Sequence, residues 1–203
     1  EFHIGGNEAL PDLKGLESVQ SIGARLFLAG NNAMGKINGF PGLESIGGDL
    51  NINTNPGLTE LNGFSQLQLI GGDVIIDSNP ALTNLTGFPS LSKIDGYLKI
   101  STNESLGHLE GFANLLEIGG SLIIGPNPSL LTVTGLSSLS AIGEFIWFDN
   151  NTSLENISGL TMLESIGEYL QVSDNPALPH VDGLSNVKTI GGALQVFRND
   201  SLE

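Results

Sequence analysis

"TNPGLTELNGFSQLQLIGGDVII" runs from Thr54 to Ile76, and "SNPALTNLTGFPSLSKIDGYLKI" from Ser78 to Ile100. The second repeats the first after a step of 24 residues, and the same step continues in both directions. It places Asn7, Asn31, Asn55, Asn79, Asn103, Asn127, Asn151, Asn175 and Asn199 in one register, with no insertion or deletion. A fixed period of this length is the mark of a stacked repeat array, in which each coil meets only its neighbours. All 203 residues therefore read as a single elongated domain.

The columns of the repeat say what kind of array it is. In the coil from Asn55 to Ser78, seven positions are apolar in almost every repeat: Leu58, Leu61, Phe64, Leu67, Ile70, Val74 and Ile76. One coil cannot enclose that surface alone, so stacked coils must share the core. In "GDVII" the apolar residues Val74 and Ile76 stand two apart, as in a strand with one face buried. Recurring once per coil, such strands pair in parallel and in register, about 4.8 Å apart. The remaining spacing is too short and too glycine-broken for a helix and fits short strands or single 3₁₀ turns. The expected fold is an all-β parallel β-solenoid of about eight and a half coils, some ~40 Å long.

The asparagines follow the strand at a turn. A buried amide both donates and accepts, so nine in register predict an asparagine ladder bonded from coil to coil. Gly63 and its equivalents, from Gly15 to Gly183, are glycine in every coil, which predicts either positive φ or no room for a Cβ. The Gly71 column admits Asp95 and is expected to be left-handed, a conformation aspartate tolerates.

Seven Lys and Arg against 22 Asp and Glu give a net charge of −15, which argues against nucleic acid or an anionic membrane as partner. No run approaches the ~18 apolar residues of a membrane span, so no membrane insertion is expected. The absence of cysteine excludes disulfides and thiolate metal sites. Neither end shows the polar cap that a solenoid normally carries. The chain thus reads as a fragment of a longer secreted protein, with end-to-end self-association through open coils as one expectation.

The stretch "LQLIGGDVIIDSNPAL", Leu67 to Leu82, resembles the repeat of receptor L domains, found in the ectodomains of the insulin- and EGF-receptor families. It is also similar to repeats of fungal and microbial cell-surface proteins and overlaps the leucine-rich-repeat pattern. Leu67, Ile70, Gly72, Val74, Ile76, Asn79, Pro80 and Leu82 carry the likeness, and the pattern recurs along the whole chain. The resemblance implies a right-handed solenoid with a roughly triangular coil, extracellular or displayed on a cell surface and used for binding. The strict period and the lack of cysteine depart from the receptors, so their ligands and signalling do not transfer.

Variation concentrates where the scaffold leaves it free, as in the outward columns of the main strand. One column holds Arg25, Asp49, Asp73, Tyr97, Ser121, Phe145, Tyr169 and Ala193; the next includes Phe27, Asn51, Ile75, Lys99, Ile123, Trp147 and Gln171. Phe145, Trp147, Tyr169 and Ile123, with Tyr97 nearby, form the candidate ligand-binding patch, because aromatic platforms suit protein hot spots and sugar faces alike. A neighbouring domain or loop covering this face is the plainer alternative. Asp49, Asp73 and Asp77 could share a cation, but they lack a calcium-loop motif and read as solvated acidic surface.

An enzyme is not expected, and neither a cofactor nor a metal. His108 and His180 share a column but lie three coils apart, roughly 14 Å, and no carboxylate cluster gathers a basic residue as a polysaccharide-active site would. The leading expectation is a non-enzymatic adhesion module for a protein or carbohydrate partner. The alternative is an ice-binding solenoid using the column Gly30, Thr54, Ser78, Thr102, Pro126, Asn150, Asp174 and Arg198, which begins with small hydroxyl residues and then loses them.

Overall fold

A computed structural model describes residues 1–203. The chain winds into a parallel β-solenoid whose coils share three sheets. The long sheet has nine strands: Phe2–Gly5, Leu26–Ala29, Leu50–Asn53, Val74–Asp77, Leu98–Ser101, Leu122–Ile124, Ile146–Asp149, Leu170–Ser173 and Leu194–Phe197. A second sheet stacks eight two-residue strands, from Ser21–Ile22 to Thr189–Ile190. A third holds Lys36–Ile37, Glu60–Leu61, Asn84–Leu85, His108–Leu109 and Thr132–Val133. In the later coils its place passes to the 3₁₀ turns Ser158–Leu160 and Asp182–Leu184. Every pairing on the long sheet keeps the 24-residue step, as in Leu50↔Val74 and Trp147↔Gln171.

The period-2 pattern of the sequence becomes inside and outside directly. Leu50, Ile52, Val74 and Ile76 are buried, and the residues between them face outward. All seven apolar columns of the coil from Asn55 to Ser78 lie in one continuous core. Within it Phe40, Phe64, Phe88 and Phe112 stack nearly parallel, with ring centroids 5.7, 5.3 and 4.9 Å apart. Leu136 and Leu160 continue that column, and in the same part of the core Phe148 replaces the aliphatic residue of its strand column.

The asparagine ladder is present. Asn79 donates its backbone N–H to Asn103 Oδ1 (3.1 Å) and its side-chain amide to Ile52 O (3.1 Å), Asp77 O (3.0 Å) and Asn103 Oδ1 (3.3 Å). The same pattern runs from Asn31 through Asn175, all fully buried. Burying a polar column on this scale is tolerable because each amide is satisfied, and no buried side-chain nitrogen or oxygen lacks a partner.

At the corners one expectation is overturned and another is resolved. The Gly71 column is not left-handed: positive φ occurs instead one residue before each ladder asparagine. Thr54, Ser78, Thr102, Asn150, Asp174 and Arg198 all sit there at φ 53–57°, with Gly6 and Gly30 at 68° and 67°. The chain must turn sharply out of the strand to bring the next amide inward, and that geometry overrides the preference of individual side chains. Proline cannot adopt positive φ, so at Pro126 the positive φ moves back to Gly125 (φ 124°). The Gly63 column is invariant for want of space, since a Cβ there would stand 2.6 Å from Ile37 O and 2.9 Å from Asn38 Cα. Gly15, in the first coil, is the exception, with open surroundings and φ of 95°.

Candidate binding face

The outward surface of the long sheet divides into an acidic half and an aromatic half. Phe145, Trp147 and Asp149 lie two apart on the strand Ile146–Asp149 and its approach, so all three project to the same side. On the next strand Tyr169, Gln171 and Ser173 stand beside them, with Trp147 opposite Gln171 and Asp149 opposite Ser173. The rings of Phe145 and Tyr169 stack at 4.5 Å between centroids and 5° between planes. That pair is half-buried by its own stacking, whereas Trp147 is 37% exposed. Ile123 is the cross-strand partner of Trp147 on the preceding coil and extends the apolar surface.

The fifth residue of the sequence-derived patch stands apart. Tyr97 shares a column with Phe145, but Ser121 lies between them and is 1% exposed. The Ser121 hydroxyl donates to Glu144 Oε2 at 2.7 Å, putting a polar step between Tyr97 and the stacked pair. Tyr97 belongs to the acidic half instead: burial and then the nearby Asp73 and Asp49 carboxylates raise its phenol above its ordinary value. The continuous patch is Ile123, Phe145, Trp147 and Tyr169.

The acidic half has a structural task that composition did not reveal. Asp49 Oδ1 accepts the backbone N–H of Asp73 (3.0 Å), and Asp73 Oδ1 accepts that of Tyr97 (3.0 Å). Each carboxylate thus reaches forward one coil, and it fills the space that a Cβ on Gly72 or Gly96 would need. The signal was in the sequence as a one-way rule: an aspartate in this column is followed one coil later by glycine in the preceding position, whereas Glu144 and Glu168 stand there where the earlier coil has Ser121 or Phe145.

Asp77 accepts hydroxyl hydrogen bonds from Ser101 and from Ser78 (2.7 Å), and Lys99 Nζ lies 3.5 Å away. Burial alone would raise the Asp77 carboxyl, but these donors and the lysine charge together hold it below its ordinary value. These contacts occupy the three aspartates with the protein's own donors.

The molecule offers surfaces rather than an enclosed chamber. Its largest concavity, about 420 Å³, is an open groove over Gly119, Gly143 and Gly167 on the second sheet, with Glu117 the one ionisable residue lining it. His108 Nδ1 lies 2.9 Å from Thr132 Oγ1, and His180 is exposed three coils away.

Compared with protein-family models, with curated proteins and with solved structures, the chain matches none. The period, the parallel sheets and the buried asparagines therefore define it as a β-solenoid repeat protein.

Proposed function

We propose that this solenoid is a non-enzymatic binding or adhesion module of an extracellular or cell-surface protein, related in kind to receptor L domains. It recognises a protein or glycan partner across the long sheet. The observation that carries the reading is the stacked Phe145–Tyr169 pair beside the exposed Trp147. Large apolar rings held rigidly on the outside of a sheet contribute nothing to the shared core, and rigid aromatic anchors are what contact surfaces use. The inward columns keep one chemistry in every coil while the outward ones change from coil to coil. A surface fitted to one partner has that character.

The ice-binding alternative draws support from three coils only. Thr54, Ser78 and Thr102 line one groove at the left-handed corner, and from Pro126 onward the column loses its hydroxyls. The discriminating experiment compares wild type with Trp147→Ala and Tyr169→Ala on a glycan array, on a panel of purified surface proteins and in an ice-growth assay. The expected result is binding that falls by about 2 kcal/mol or more in Trp147→Ala, at nearly unchanged melting temperature, with a smaller loss in Tyr169→Ala. Ice shaping that survives Trp147→Ala, with no partner bound, would overturn it.

A further inference from the structure

Between Ile100 and Val187 the chain contains no lysine or arginine, yet it carries Glu104, Glu110, Glu117, Glu144, Asp149, Glu155, Glu164, Glu168, Asp174 and Asp182. The aromatic patch lies inside this stretch. Outside this stretch all seven of the chain's lysines and arginines are found, and five carboxylates there are paired with them, as in Arg25–Glu1, Lys36–Glu60, Lys93–Asp95 and Lys99–Asp77. Glu117, Glu164 and Asp174 are reached by basic residues from outside the stretch: Lys93, Lys188 and Arg198. The three carboxylates nearest the patch, Glu144, Asp149 and Glu168, have no basic partner.

Asp149 is also the best positioned of the three. Gln171 Nε2 donates to Ser173 Oγ (2.9 Å), and Ser173 Oγ donates to Asp149 Oδ1 (2.5 Å). This chain of bonds fixes the carboxylate on the same face as Trp147, two residues away, and leaves Oδ2 without a protein donor. The partly exposed Trp147 and the outer faces of the Phe145–Tyr169 stack, edged by carboxylates without a basic partner, are complementary to a planar cation. A guanidinium can stack on a ring face while its N–H groups reach a carboxylate, which the compact, strongly hydrated ammonium of lysine does less well.

Resting on the binding role proposed above, we propose that the ligand of this face is an arginine-bearing segment of a basic protein partner. Its guanidinium groups lie against Phe145, Trp147 and Tyr169 and are paired by Asp149, with Glu144 and Glu168 at the rim. The face thus selects for cationic protein surfaces, and neutral glycans are not its ligand.

Trp147 is the single tryptophan, so its fluorescence reports directly on the patch. Wild type is titrated with an oligo-arginine peptide, with oligo-lysine of equal length and with a neutral hexasaccharide, at about 50 and 300 mM salt. The expected result is a Trp147 response to oligo-arginine that is tighter than to oligo-lysine and weakens at high salt. Tyr169→Ala should weaken it about two- to fivefold, and Asp149→Asn and Glu168→Gln should each weaken it measurably without altering the melt. No response to oligo-arginine overturns the proposal, and so does equal affinity in Tyr169→Ala and Asp149→Asn, since that is general attraction to an acidic protein. A Trp147 response to the hexasaccharide alone, lost in Tyr169→Ala, also overturns it while leaving the broader binding reading intact. Silence of the patch toward every ligand class, in this titration and on the arrays, removes both.

Discussion

Replacing Asn103 by alanine tests the bond pattern that joins one coil to the next. Asn103 Oδ1 accepts the backbone N–H of Asn79 (3.1 Å) and the Asn79 amide (3.3 Å), while its own amide donates to Ile76 O (2.9 Å) and Asn127 Oδ1 (3.4 Å). Truncation leaves the Asn79 N–H and the Ile76 carbonyl short of a partner in a region closed to water. At about 1–3 kcal/mol for each buried group left unpaired, the loss is at least about 2 kcal/mol. For a chain of this length that is a fall of roughly 4–8 °C or more in melting temperature.

Asn7 supplies the internal control. It is exposed and donates to Gly5 O and Asn31 Oδ1, but no neighbour depends on its own Oδ1. Asn7→Ala should therefore cost less than about 1 kcal/mol. Asn103→Asp sharpens the test, because an oxygen would replace the donor facing Ile76 O and Asn127 Oδ1. Its carboxyl should be raised in the folded state, so this variant should lose stability as pH rises and regain part of it on acidification. Circular dichroism melts of the three variants provide the measurement. Asn103→Ala melting within about 1 °C of wild type, or Asn7→Ala falling as far as Asn103→Ala, would refute the ladder argument.

At the corners, Gly63→Ala should destabilise sharply, because its Cβ meets Ile37 O. Thr54→Gly should hold or raise stability by up to about 1 kcal/mol, since relief of a β-branched residue at φ 53° offsets the entropy of glycine; urea unfolding reads both, and a large loss in Thr54→Gly would contradict the strain. In a glycosylating host, sugar is expected on exposed Asn84 and Asn156 and not on buried Asn103 or Asn151, although all four lie in sequons; peptide mass spectrometry decides. The lowered Asp77 carboxyl contributes stability that is fully present above about 3.8 and declines as pH falls below it. Asp77→Asn should therefore flatten that limb of the stability–pH curve, and an unchanged limb would remove Asp77 from the account.

Although the short strands of the other two sheets came only with the structure, the sequence by itself determined the period, the position of the main strand, the seven core columns and the ladder. Each rests on repetition: a side chain recurring every 24 residues must occupy the same place in every coil, so Asn79 and Val74 could be assigned without coordinates. Only the tertiary structure decided what depends on contacts between different columns. Thr54 and Ser78 give no sign of positive φ taken singly; the corner imposes it, because the strand must end where the next amide turns inward. Asp49 and Asp73 read as surface charge until their oxygens are seen one coil forward, on the amides of Asp73 and Tyr97. The patch was legible in outline for the same reason as the core, since Phe145, Trp147 and Tyr169 fall on one face by alternation alone. Its edge was not, because one small buried residue, Ser121, bonded to Glu144, separates Tyr97 from the stack, and no column read along the chain shows which neighbours touch.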